Sequence, residues 1–353
     1  MDDKIEEILA QYPVQIESRK RIRGAILLET REGQYLLREY NGSASHLERE
    51  ERIKESLMSH GYRKVDKALA NKQGELLTRD GSGNIWLMKR WFAGRECDLK
   101  DAKQVCRAMS HLAMLHLWMS EQHEDIRTQQ TENAEELTSS GRETDLGGEE
   151  LQAAEVTAFT PIDFFGRRNR ELKRVHTYIR KKRRKNEMEL ALLDAFAHYY
   201  EQGCEAEQLE TAEHNYDYLQ REAAEQGKLM HGSYNYHNII FSNGNTAVTN
   251  FDKYKNECQI SDLYQFMRKI LEKYDRDIQT AYKMMEEYDK IKPVSDTERA
   301  LLAALFAFPE KFWKVMNYYF NSNKAWIPPK TKEKLEKVVQ QNEKRQKFLE
   351  TLL

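Results

Sequence analysis

Apolar and polar residues alternate along the first hundred positions in short runs separated by turn residues. Residues 24–30, 34–40, 74–78 and 84–91 read as strands, with Glu32-Gly33 and Asp80-Gly81-Ser82-Gly83 supplying turns. Between the second and third strands, residues 46–60 take helical spacing and end at Gly61. The order strand, strand, helix, strand, strand predicts an antiparallel sheet crossed by one helix. From residue 101 the period becomes helical. Val105, Met109, Leu112, Ala113 and Leu115 mark a buried helix over 101–118, whose His111 and His116 read as packed or surface side chains rather than ligands. Further helices are predicted over 188–200 and 209–225, from Asp262 through Phe266, Met267 and Ile270, and over 279–288, 296–319 and 330–353. One hairpin interrupts them, with strands 239–241 and 246–249 joined by the turn 242–245. The predicted class is α+β, with a sheet-bearing part over 1–92 and a mainly helical part over 93–353.

Two segments depart from this pattern in opposite directions. Residues 121–158 shift to Glu, Gln, Thr, Ser and Gly with few apolar positions, which predicts a flexible acidic surface insertion. Residues 167–185 are strongly basic, with Leu172, Val175, Tyr178 and Ile179 near helical spacing. That segment is either a solvated face or a surface for an anionic partner: a polyanion, a membrane surface or the acidic insertion itself.

Composition narrows the classes. Charged residues are 32% of the 353, hydrophobic residues 40%, and the formal net charge is -2, so a soluble protein is expected and a dedicated or specific nucleic-acid binder is not. No apolar stretch approaches the roughly 20 residues that span a bilayer, and the acidic residues 1–9 lack the form of a secretory signal. Cys97, Cys106, Cys204 and Cys258 are scattered without a Cys-x-x-Cys pair or zinc-like His spacing, so reduced thiols in the cytoplasm are expected.

The chemistry gathers around the predicted hairpin. His231-Gly232-Ser233-Tyr234-Asn235-Tyr236-His237-Asn238 runs into its first strand, and Asn250-Phe251-Asp252 follows its second, so the amides of Asn238 and Asn250 can face one site. With these segments the chain resembles the aminoglycoside phosphotransferase and choline kinase-like group of the protein kinase-like fold. Within that group it is most similar to the CotS spore-coat family, through Gly94-Arg95-Glu96-Cys97, the runs 167–174 and 179–187, and Ser261-Asp262-Leu263-Tyr264.

The resemblance implies a bilobal α+β fold, with a small antiparallel-sheet lobe and a mainly helical lobe. In this group the first motif reads His-Gly-Asp, four residues, Asn, and the second begins Asp-Phe. Ser233 therefore stands where the catalytic Asp would be and Asn250 where the principal metal-binding Asp would be, while Asn238 is retained. Asp252 is a substitute metal ligand by position, and His231 and Asp262 are structural supports of the loop. Arg38 occupies the place of the strand lysine that grips nucleotide phosphates, with Glu50 first and Glu51 second as its helix partner. Arg90, Trp91 and Phe92 would border an adenine pocket, although Trp91 and Phe92 read equally well as core. No Gly-rich phosphate loop lies between the first two strands.

In phosphoryl transfer of this kind the loop Asp orients the attacking hydroxyl, and the Asn and second Asp hold the magnesium ions. Ser233 cannot act as an unaided base, and Asn250 offers a neutral carbonyl to a cation that prefers charge. The expected function is thus a catalytically impaired relative, a pseudokinase that binds nucleotide or serves as a scaffold, associated with spore-coat proteins. One alternative is an active atypical phosphotransferase using ATP and Mg²⁺ on a small hydroxyl-bearing substrate. Another is a polyanion-binding module that uses residues 167–185 and needs no cofactor.

Overall fold

The computed structural model describes residues 2–22, 24–119, 164–213, 215–242, 244–273, 278–322 and 329–352. The predicted acidic insertion lies outside them. The chain divides into two compact units, the first made of Met1–Arg127, Gly227–Asp262 and Met284–Lys292, the second of Thr128–Gln226, Leu263–Lys283 and Pro293–Leu353.

The first unit carries helix α1 (Asp2–Leu9), strands β1 (Ile16–Ile22), β2 (Ala25–Thr30) and β3 (Gly33–Glu39), helix α2 (Ala44–Ser59), and strands β4 (Leu77–Arg79) and β5 (Ile85–Trp91). The five strands form one antiparallel sheet in the order β1-β2-β3-β5-β4. Side chains alternate between its faces. Ile26, Leu28, Leu37 and Met88 point to one side, where Ile5, Ile8, Leu9 and Tyr12 close a core over them. At eight residues α1 is too short to persist alone, so this burial is what holds it. Leu36, Arg38, Leu87 and Lys89 share the other face, since Leu36 is registered with Lys89 and Arg38 with Leu87.

Helix α2 begins where Ser43 caps the amide of His46. It buries Leu47, Glu50, Glu51, Ile53, Lys54 and Leu57. The unit continues through β6 (Arg95–Glu96) and helix α3 (102–119), then returns in a second antiparallel sheet in which β7 (Ile239–Ser242) pairs with both β6 and β8 (Asn245–Val248).

The predicted order of four strands and one helix is present. Sequence reading missed α1 and β1, and it placed β4 too early. β1 shows why: five consecutive exposed residues between two isoleucines leave no alternation to read, and the cations on this edge discourage pairing with another chain.

The second unit is helical: α4 (Phe164–Lys181), α5 (Glu187–Glu213), α6 (Asn215–Glu225), α7 (Ile260–Lys273), α8 (Ile278–Asp289), α9 (Asp296–Ala307), α10 (Glu310–Asn321), α11 (Pro329–Gln340) and α12 (Asn342–Leu352). The starts of α7 and the end of α8 belong to the first unit. The single helix predicted over 296–319 is two, because Pro309 cannot continue the first. The gap expected near 201–208 is instead continuous helix. Gly203 there lets α4 approach α5: Asn169 donates to its carbonyl oxygen at 2.9 Å, and a Cβ at Gly203 would strike the Asn169 amide.

Within α4 the cations serve two purposes. Arg168 pairs with Glu310 and stacks over Phe164 and Trp313 at 3.8 and 4.2 Å, and Lys182 pairs with Glu189, so both are structural. Arg167, Arg180, Lys181, Arg183 and Arg184 are exposed and form no ion pair with a described residue.

Candidate functional site

The first unit contains a cleft of about 960 Å³ on the Leu36–Arg38 face of the sheet. Ile22, Ala25 and Leu36 make one apolar wall; Trp91, Phe92 and Ile240 line it further along, and Arg38, Asn235, His237, Asn238 and Asn250 bring polar groups to it. Of the three residues expected to border an adenine, Trp91 and Phe92 line this cleft. Arg90 borders a smaller neighbouring depression instead. Strand alternation accounts for this, since Arg90 is registered with Tyr35 on the opposite face from Leu36.

The loop that leads to the cleft is braced from below. The Asp262 carboxylate accepts hydrogen bonds from the backbone N–H of His231 at 2.6 Å and of Gly232 at 3.0 Å. Gly232 has φ +72°, and a Cβ there would collide with the Lys253 carbonyl oxygen, so only glycine fits. His231 is fully buried, and burial pushes its imidazole below the ordinary value. Its Nδ1 accepts from the Ser233 amide, which fixes the neutral tautomer.

Beyond this brace lies a chain of hydrogen bonds. Asn238 Nδ2 donates to the Ser233 carbonyl oxygen at 2.8 Å and to Ser233 Oγ at 3.1 Å. Because a backbone carbonyl can only accept, this contact sets the orientation of the Asn238 amide and turns its Oδ1 the other way. That oxygen accepts from Asn250 Nδ2 at 2.8 Å. Asn250 is the one described non-glycine residue with positive φ, at 63°, a conformation asparagine tolerates better than most residues. Its backbone N–H donates to Asp66 Oδ2 at 2.8 Å.

Asp66 belongs to a buried ionic cluster. Glu50 Oε1 lies 2.6 Å from both Lys54 and Lys89, and Lys54 also lies 2.9 Å from Glu51 and 3.2 Å from Asp66. Burial works against every charge here. For Glu50 the lysines 89 and 54 outweigh it and hold the carboxyl below its ordinary value, and Lys54 and Lys89 do the same for Asp66. The three carboxylates keep the Lys54 ammonium above the ordinary lysine value in spite of its burial, whereas burial prevails at Lys89 and lowers it.

Sequence reasoning paired Glu50 with Arg38. In the structure Glu50 takes Lys54 and Lys89, and Arg38 faces Asp252 at 3.7 Å. Lys89 lies on the same sheet face as Arg38 but on the neighbouring strand β5, and from there its ammonium reaches Glu50 at 2.6 Å. Lys54, Asp66 and Lys89 were not singled out from sequence. Two signals existed: Glu50, Glu51 and Lys54 fall on the apolar stripe set by Leu47 and Leu57, and Lys89, with Arg90, interrupts an otherwise apolar run in β5.

The Asp252 carboxylate faces Arg38 at 3.7 Å, while its carbonyl oxygen accepts from His46 Nε2 at 2.9 Å. At the rim, His237 Nδ1 hydrogen-bonds the Glu96 carboxylate at 2.5 Å. Among the described residues no group of three or more His, Cys, Asp or Glu side chains is placed to hold a metal ion. No described helix is long and apolar enough to cross a membrane.

Comparison with known proteins identifies the frame around this site. Residues 150–352, more than half of the chain, match the family model described as Spore coat putative kinase YutH. No curated protein sequence matches the chain. Among solved structures, it is similar to an aminoglycoside phosphotransferase from Alicyclobacillus acidocaldarius at TM-score 0.78 and 16% identity, over 98% of this chain and 94% of that one. It is also similar to amicoumacin kinase hAmiN in complex with AMP-PNP, Ca²⁺ and Ami (TM-score 0.55, 12% identity, 98% and 93% covered). A third similarity is to spectinomycin phosphotransferase with ADP and its substrate bound (TM-score 0.54, 11% identity, 97% and 93% covered). At these identities the likeness shows the fold, which is the protein kinase-like α+β fold.

Proposed function

The chain belongs to the YutH family of spore-coat kinase-like proteins, and on that premise we propose that it is a pseudokinase of the spore coat that takes nucleotide without a divalent cation. The observation that carries the proposal is the amide pair at the centre of the site. Asn238 Oδ1, the oxygen a metal ion would need, already accepts from the Asn250 amide at 2.8 Å, which places an N–H donor beside it and leaves it one lone pair. The opposite end of the Asn238 amide is tied to Ser233, so the oxygen cannot be freed by a simple flip.

A magnesium ion prefers anionic oxygens in near-octahedral array. Asn238 and Asn250 offer neutral amides bonded to each other, and Asp252 is drawn to Arg38. These residues do not fit Mg²⁺. Ser233 supplies no base, and losing a general base typically costs about 10²- to 10⁴-fold in rate. Nucleotide binding is supported by the cleft, with its apolar walls and Arg38, and by neighbours of the same fold that hold AMP-PNP and ADP.

Titration calorimetry with ATP, in Mg²⁺ and in EDTA, tests the reading. Weak binding of similar strength in both is expected. Tight binding that disappears on chelation would replace this reading with that of an active, metal-dependent phosphotransferase. A second reading rests on a different observation, the exposed cations at and just beyond the end of α4 that form no ion pair with a described residue, which suit an anionic partner through charge alone.

A further inference from the structure

Arg38 is the strongest cation on the cleft wall and the least well satisfied. Its Nε is buried without a hydrogen-bond partner, and its one acidic neighbour, Asp252, stands at 3.7 Å, beyond hydrogen-bond length. A guanidinium presents a planar fork of donors that matches two oxygens of one oxyanion, and a single carboxylate oxygen at this distance leaves that capacity unused. The two side chains are 24% and 31% exposed, so solvent and ligand reach both.

Asp252 is anchored by its backbone rather than by its side chain. Its carbonyl oxygen accepts from His46 Nε2 at 2.9 Å, and the His46 ring stacks on Tyr254 at 4.6 Å. The carboxylate can therefore swing without disturbing the chain that carries it. Glu50, the other carboxylate within reach of this sheet face, is held by Lys54 and Lys89 and does not compete.

We propose that Asp252 is an internal stand-in for a phosphate group: its carboxylate neutralises Arg38 when no ligand is bound and is displaced when a phosphate monoester binds in the cleft without metal. The inference rests on the nucleotide reading above and deepens it by naming the anchor, the competitor and the ligand class. Arg38 gains a bidentate oxyanion in exchange for a loose ion pair. Asp252 then sets the affinity of the cleft for phosphate and not for the rest of the ligand.

The test measures binding of AMP, ADP and adenosine in EDTA to the full chain, wild type and variants. Asp252→Asn removes the competitor and should tighten AMP and ADP by about 1.4- to fivefold, the range of a partly exposed ion pair, leaving adenosine unchanged. Arg38→Ala should weaken AMP and ADP at least about tenfold, and the double variant should behave as Arg38→Ala. If Asp252→Asn does not fold, Asp252→Ser serves the same purpose.

Two results would overturn the proposal in distinguishable ways. Wild type that binds ADP with Asp252→Asn no tighter refutes the stand-in while leaving the nucleotide reading intact. Failure of ADP and adenosine to bind any variant refutes the nucleotide reading, and the stand-in with it.

Discussion

Replacing Asn250 by Asp probes the centre of the site with one nitrogen-to-oxygen exchange. The backbone should not object, because aspartate tolerates the left-handed conformation at φ 63° much as asparagine does. The side chain should. Asn250 Nδ2 now donates to Asn238 Oδ1 at 2.8 Å, and the exchange turns that contact into two facing acceptors. Asn238 cannot rotate to offer its nitrogen without breaking its bonds to Ser233. Losing the bond and leaving the Asn238 oxygen unsatisfied costs about 1–3 kcal/mol, and the negative Asp66 that holds the same backbone adds to it. A cation between the two oxygens would reverse the penalty. At a hundred times its dissociation constant, Mg²⁺ would return about 2.7 kcal/mol. In thermal unfolding, N250D should therefore melt below wild type in EDTA and recover in millimolar Mg²⁺, while wild type stays indifferent to the ion. If N250D is as stable as wild type in EDTA and does not respond to Mg²⁺, the amide pair is not what keeps metal out.

Lys54→Met leaves Glu50 and Asp66 to Lys89 alone and takes from Glu51 its ammonium partner, and should cost about 3–5 kcal/mol by urea unfolding, the usual effect of breaking a buried pair; a loss under about 1 kcal/mol would show the cluster to be solvated. Glu50 and Asp66 have folded values held below 4.5 and 3.8, so their contribution is complete above those values and is lost as pH falls through the depressed ones. Stability should drop below about pH 4, and Glu50→Gln should flatten that acid limb; an equal slope in both proteins would count against it. Exchanging Arg180, Lys181, Arg183 and Arg184 for Gln should abolish salt-sensitive retention on heparin with no change in Tm, because none of them forms an ion pair with a described residue; retention that persists, or that ignores salt, would exclude this surface.

The strands β2, β3 and β5 were legible because one face of each is buried and the other is not. β1, an exposed edge, was not, nor was α1, whose three apolar residues mean little until a sheet stands opposite them. In the site, motif spacing was enough to bring Ser233, Asn238 and Asn250 to one hairpin. The direction of the bonds among them was hidden, because it is dictated by the backbone carbonyl of Ser233, which no residue letter encodes. The ionic cluster was hidden for a related reason. A charged residue in a sequence is read as solvated until its partners are known, and the partners of Lys54 come from α2 and from the loop that carries Asp66.

The left-handed turn at Asn250 also bears on how such a site can change over generations. Few side chains settle in that conformation, and asparagine and aspartate are among those that do. Their codons differ by a single base. A lineage could thus cross between an amide and a carboxylate here without refolding the hairpin, and the frame would survive either choice. The structure holds a socket whose chemistry is free to drift, which makes a change of charge at this position an easily reversible step.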